Sequence, residues 1–178
     1  MAREITIRLG VLADLIQPAT KWGEPYWRPS GVMPPHSGHA VGDVLFETEK
    51  QKRYFMGNSI LTCHASDTEA YVFNFESVVP AIYVVLRRDE ERRSGLPWYV
   101  HAVTASPYEG QDYADNAEDI VERVEMPPEV AREIMAFVDE HHREQPFRKR
   151  KRSEYREENL KFGKEPIFLN RSRKRIDG

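Results

Sequence analysis

The chain has 178 residues, of which 40% are hydrophobic and 31% charged, and it carries 3 Trp, 8 Tyr and 8 Phe. That is enough apolar material for one domain with a core, and too much for a wholly disordered chain. The formal net charge of −3 hides an uneven split: residues 1–140 hold 13 Lys and Arg against 23 Asp and Glu, whereas residues 141–178 hold 13 against 6.

Ile5, Ile7, Leu9 and Val11 fall on alternate positions, the period-two signature of a half-buried strand. No apolar leader precedes this pattern, and the longest near-apolar run, Val78–Leu86, contains Pro80 and is far shorter than the roughly 20 residues of a membrane helix. Cys63 is the single cysteine, so no intrachain disulfide can form and a reducing, cytoplasmic setting is expected. From Gln17 to Gly42, five prolines and four glycines break any regular element, and Trp22, Tyr26 and Trp27 predict a packed loop there.

A strand-rich block follows. Val44–Phe46 and Tyr54–Met56 flank the polar stretch Glu49–Lys52 and predict a hairpin, continued by Ile60–Cys63. Tyr71, Phe73 and Phe75 alternate as in a further strand. Ala81–Leu86 is continuously apolar, as in a strand covered on both faces. Arg87–Ser94 is a charged turn, and Trp98–Thr104 predicts the next strand. Pro127-Pro128 then opens a helix whose Val130, Ile134, Phe137, Val138 and His141 share one face. The expected class is α+β: mainly antiparallel sheet, or a partly open small β-barrel, with one C-terminal amphipathic helix packed on it. Residues 1–147 would form a single globular β-rich domain and residues 148–178 a basic C-terminal extension, docked or disordered.

Motifs for chemistry are sparse. His36 and His39 lie in a Pro/Gly-rich loop, and neither they nor His141-His142 offer the four regularly spaced ligands of a structural zinc site. Cys63 with His101 as base lacks any nucleophile signature, and no glycine-rich phosphate cradle occurs. Glu109, Asp112, Asp115, Glu118 and Asp119 crowd together after Ser106-Pro107-Tyr108, with Asp112, Asp115 and Asp119 spaced for one face of a short helix. Paired carboxylates can do acid–base work where burial separates their pKa values; a solvated helix end is the plainer reading. No metal and no cofactor is implied. The run Arg148, Lys149, Arg150, Lys151, Arg152 can meet phosphates or an acidic protein surface, and without interleaved aromatics it favours protein contact, or self-contact with the acidic body, over nucleic acid.

Several segments occur together in one order: Asp67–Tyr71, Tyr83–Arg87, Val103–Glu109, Gln111–Tyr113, Phe137–Asp139 with His141-His142, and Pro146-Phe147 leading into Lys149–Arg152. From the first strand to Arg152 the chain resembles a proteobacterial family catalogued as domain of unknown function 3305. The resemblance implies genes near formate dehydrogenase and other molybdoenzymes, hence an accessory role, and it carries over no catalytic residue.

The resulting expectation is a non-enzymatic accessory or adaptor protein that binds another protein through Arg148–Arg152 and assists molybdoenzyme maturation. One alternative is a small-molecule or cofactor-binding protein, or an enzyme, with a pocket between the loop carrying Trp22, Trp27 and Arg28 and the segment carrying Tyr108, Glu109 and Asp112. The other is nucleic-acid binding through the basic tail.

Overall fold

Residues 3–142 are described by the computed structural model. Strand β1 (Glu4–Ile16) pairs antiparallel with β2 (Tyr26–Met33) on one side and β4 (Gln51–His64) on the other. Strand β3 (Val44–Glu47) forms the expected hairpin with the start of β4, so the sheet runs β2-β1-β4-β3. A 3-10 turn, Ala65–Asp67, leads into helix α1 (Thr68–Phe75). Strands β5 (Ala81–Arg88), β6 (Trp98–Thr104) and β7 (Ile120–Glu125) form a second antiparallel sheet, ordered β6-β5-β7. Helix α2 (Pro107–Asp115) connects β6 to β7, and α3 (Pro128–His141) follows. The architecture is α+β with two antiparallel sheets and three helices; among the described residues the strands do not close into a barrel.

One core joins both sheets with α1 and α3. Ile7, Leu9, Val11 and Ala13 of β1 meet Ile82, Val84 and Leu86 of β5. Val130, Ile134, Phe137 and Val138 of α3 join the same cluster, as the helical spacing predicts. Burying a side chain of this size stabilises by about 1.5–3 kcal/mol, so α3 is held by packing more than by propensity. β5 is the central strand of its sheet, in line with its unbroken apolar run.

Three sequence expectations need correction, and one strand had no counterpart among them. Tyr71, Phe73 and Phe75 lie on α1, not on a strand. The buried positions there are Thr68, Ala70, Tyr71 and Asn74, a helical spacing concealed because two of its members are polar. The Gln17–Gly42 region contains β2, whose Pro29 and Gly31 sit at an irregularity in an edge strand, where a missing N–H is tolerated. Trp22 is not packed but 96% exposed. The short strand β7 follows the acidic segment and needs β5 beside it to form.

Asn74 is 1% exposed and joins three chain segments. Its amide donates to the carbonyls of Ala81 (2.7 Å) and Ala105 (2.8 Å), and its oxygen accepts from the Ala81 N–H (3.0 Å). Gly110 lets α2 sit against β5, because a Cβ there would lie 2.5 Å from Tyr83. Asn74→Ala leaves three buried backbone groups without these partners, and the expected loss is about 2–4 kcal/mol in urea unfolding. Gly110→Ala should cost about 1–3 kcal/mol by overpacking. A midpoint shift within error for Asn74→Ala would refute the bridging role.

Candidate functional site

Cys63 is fully buried on the core side of β4, beside the Tyr71 hydroxyl. Burial pushes its thiol up to about 11, so at neutral pH it is protonated and a poor nucleophile. His101 has its ring against Tyr99 (6.3 Å) and Tyr113 (5.6 Å). His36 and His39 pack ring against ring at a tilt of 40° (4.6 Å between centres), and their loop is pinned to β4 by Asn58, which exchanges two hydrogen bonds with the His36 backbone. Among the described residues no three His, Cys, Asp or Glu side chains gather as metal ligands.

The crowded carboxylates have separate structural tasks. Ser106 caps α2 by accepting from the Glu109 N–H (3.3 Å), and the Glu109 carboxylate accepts from the Thr104 hydroxyl (2.5 Å). Only the Ser106 half of a capping box forms: the Ser106 N–H donates to the Thr104 hydroxyl oxygen (3.0 Å), and Glu109 reaches that hydroxyl instead of the N-cap N–H. Asp112 and Asp115 are exposed on α2, and Asp115 accepts from Gln111 (2.7 Å). Asp119 does not share their helix face, because α2 ends at Asp115. It lies before β7, where both its oxygens bind Arg87 of β5 (2.8 and 2.7 Å). Those hydrogen bonds hold its carboxyl below the usual range against the opposing effect of burial.

A second arginine–carboxylate pair lies on the larger sheet. Asp14 is 1% exposed and its register neighbours are Arg28 on β2 and Arg53 on β4. Arg53 binds it through Nε (2.7 Å) and Nη2 (3.0 Å), and Gln51 adds a further bond (2.5 Å). Burial alone would raise this carboxyl, but the hydrogen bonds and charge of Arg53 prevail and keep it low.

The residues chosen from sequence for a pocket therefore have distinct surroundings. Trp27 packs at a tilt of 37° against Tyr54 of β4 (4.9 Å between ring centres), Arg28 is exposed on β2, and Trp22 stands in solvent. Tyr108 stacks on Phe73 of α1 at 5.9 Å, while Glu109 is bound to Thr104. The basic run Arg148–Arg152 lies outside the described residues.

An open cleft of about 620 Å³ is formed by other residues. One wall is Met56–Ser59 of β4, the other is Tyr99 and Val100 of β6, and Val41 and the Asp89–Ser94 turn complete the rim. β3 covers the outer edge of β4 as far as Tyr54, and Asp43 and Gly42 pair with Phe55. Beyond Phe55, no strand pairs with that edge among the described residues, and β6 is itself an edge strand. The rim charges are tied to each other: Arg93 binds Glu91 (2.7 Å), and its backbone N–H donates to Asp89 (2.9 Å). No local pattern in the sequence marks this cleft, because its walls come from separate strands, β4 and β6.

A family model described as "Protein of unknown function (DUF3305)" matches residues 8–151. The chain belongs to the DUF3305 family. The ordered segments that carried the resemblance, from Asp67–Tyr71 to Lys149–Arg152, lie within or at the edge of that match. No curated protein and no solved structure matches the chain.

Two measurements check this description of the DUF3305 chain. Cys63 should be alkylated slowly in the native protein and at the rate of a free thiol in urea; rapid native labelling would contradict its burial. Asp14 and Asp119 have folded-state pKa values below their ordinary 3.8. Their contributions are therefore present above that value and lost as pH falls through the folded one, so stability should drop on acidification below roughly pH 4. Asp14→Asn should flatten that drop in urea midpoints; an unchanged acid slope would show that Asp14 contributes nothing to it.

Proposed function

We propose that this protein is a non-catalytic accessory or adaptor protein that holds an extended segment of another protein. The cleft between β4 and β6 carries this reading. It is open, its walls carry Met56 and Val100, and the strand edges beside it have no further hydrogen-bonded strand among the described residues. Such edges offer a row of backbone donors and acceptors to an incoming chain, while the apolar wall residues accept alternate side chains. The partner class follows from the resemblance: a molybdoenzyme such as formate dehydrogenase during its maturation. The run Arg148–Arg152 would add a salt-sensitive contact to the same partner.

The test is affinity capture of a formate dehydrogenase from cells that make both proteins. Val41 is 45% exposed at the cleft rim, so Val41→Trp narrows the cleft without entering the core. Capture should fall by about tenfold in Val41→Trp, the loss expected when a central contact is blocked. Neutralising Arg148–Arg152 should weaken it mainly at low salt. Full capture by Val41→Trp would sink the cleft reading, and failure to capture any molybdoenzyme would sink the partner class.

A further inference from the structure

A second surface is independent of the cleft. α1 and α2 touch, and their contact presents Phe73 and Tyr108 outward, stacked at an interplanar angle of 21°. Both are about half exposed, at 51% and 53%. The connection from α1 to β5 adds Val79 at 51% and Val78 at 102%. Four large apolar side chains on two adjoining helices and one connection are more than the scattered singles of an ordinary surface.

The charges around this patch are almost all of one sign. Glu69 of α1 and Glu76, the residue that caps its C-terminus, are one turn either side of Phe73, and on α2 Asp112 is one turn after Tyr108; all three are exposed. Neither helix nor the connection contains Lys or Arg, and residues 54–86 and 94–122 contain none at all. Arg123 of β7 reaches the edge, where it donates to the Val79 carbonyl (3.3 Å) and lies over the Tyr83 ring. The acids of this face have no catalytic arrangement to explain them, and Glu109, the one taken up by a structural bond, is held at the start of α2.

We infer that the α1–α2 face is a docking surface for a basic segment of a partner protein, anchored by apolar side chains on Phe73, Tyr108, Val78 and Val79. The stacked aromatic pair supplies the central anchor, the type of contact that dominates binding energy. The acids set the sign of the partner: Lys or Arg flanking its apolar residues would meet Glu69, Glu76 and Asp112 and speed association. The same acids repel phosphate, which disfavours nucleic acid and anionic membrane at this face. This surface goes beyond the proposed cleft contact and stands whether or not the cleft binds a strand.

The experiment uses the full chain and a synthetic Leu/Lys amphipathic peptide of about five helical turns, with binding followed by calorimetry and NMR shift mapping. A Gln/Lys peptide of equal charge, a Leu/Glu peptide, duplex DNA and phosphatidylserine vesicles serve as comparisons. The expected result is binding of the Leu/Lys peptide with shifts on α1 and α2, weakened about tenfold or more by Phe73→Ala with Tyr108→Ala. Ile60→Ser, at an exposed apolar site on β4, should leave it unchanged. Circular dichroism verifies that the double variant is folded; if it is not, Glu69→Gln with Asp112→Asn must weaken binding instead. Equal binding by the Gln/Lys peptide, shifts confined to the cleft, or an undiminished affinity in a folded double variant would overturn the inference. So would preferential binding of DNA or vesicles at this face, or a concentration-dependent dimer that the double variant abolishes, which would make a second copy the occupant.

Discussion

The buried amide of Asn74 is the joint on which the rest of this architecture depends. α1 is too short to be stable by itself, and its only polar residue that is fully buried bonds the first residue of β5 and the residue just after β6. That places the start of the smaller sheet, the end of β6 and the N-terminus of α2 around one side chain. The position of α2 beside α1, and hence the Phe73–Tyr108 stack, follows from it. The cost of burying an amide is offset because all three of its bonds go to backbone groups that would otherwise be unpaired.

Charged groups hold the edges of the fold in a comparable way. Asp14–Arg53 and Asp119–Arg87 are both two-pronged pairs with a buried carboxylate and a partly exposed guanidinium. The first ties β1 to β4 and the second ties β5 to the segment that enters β7. Removing either partner would strand a desolvated charge, so these pairs enforce register more than they add net stability. Glu109 does similar work at a helix start. What is left uncommitted is a layer of exposed acids on α1 and α2, and that remainder is what the basic-partner surface is built from.

The two sheets share a core without completing a barrel, and the cleft is a direct result. β3 is only four residues long, so it leaves most of the outer edge of β4 without a strand. β6, at the edge of the other sheet, faces the same opening. Natural edges of this kind are usually shortened, charged or covered, and here the ion-paired Asp89–Ser94 turn lines the rim.

β1, the β3–β4 hairpin, β5, β6 and α3 are written locally in the chain, because each has an apolar period or run strong enough to act without its neighbours. The charge division, the lone cysteine and the family segments are read from the chain as well. Tertiary structure decided the elements whose signal lies in their neighbours. α1 reads as a strand until Asn74 is seen to be buried, and β2, with Pro29 and Gly31, is a strand only because β1 pairs with it. The roles of the carboxylates were also beyond sequence, since Asp119 finds Arg87 and Asp14 finds Arg53 across long separations. Of the residues picked for a pocket, Trp27, Tyr108 and Glu109 do make specific contacts, though each with a different partner. The helical face was partly legible all along: two long stretches without a single Lys or Arg are visible in the chain, but only the packing of α1 on α2 brings their aromatics and acids onto one surface. Local periodicity writes secondary structure into sequence; a surface is made by which segments come together, and that depends on the whole core.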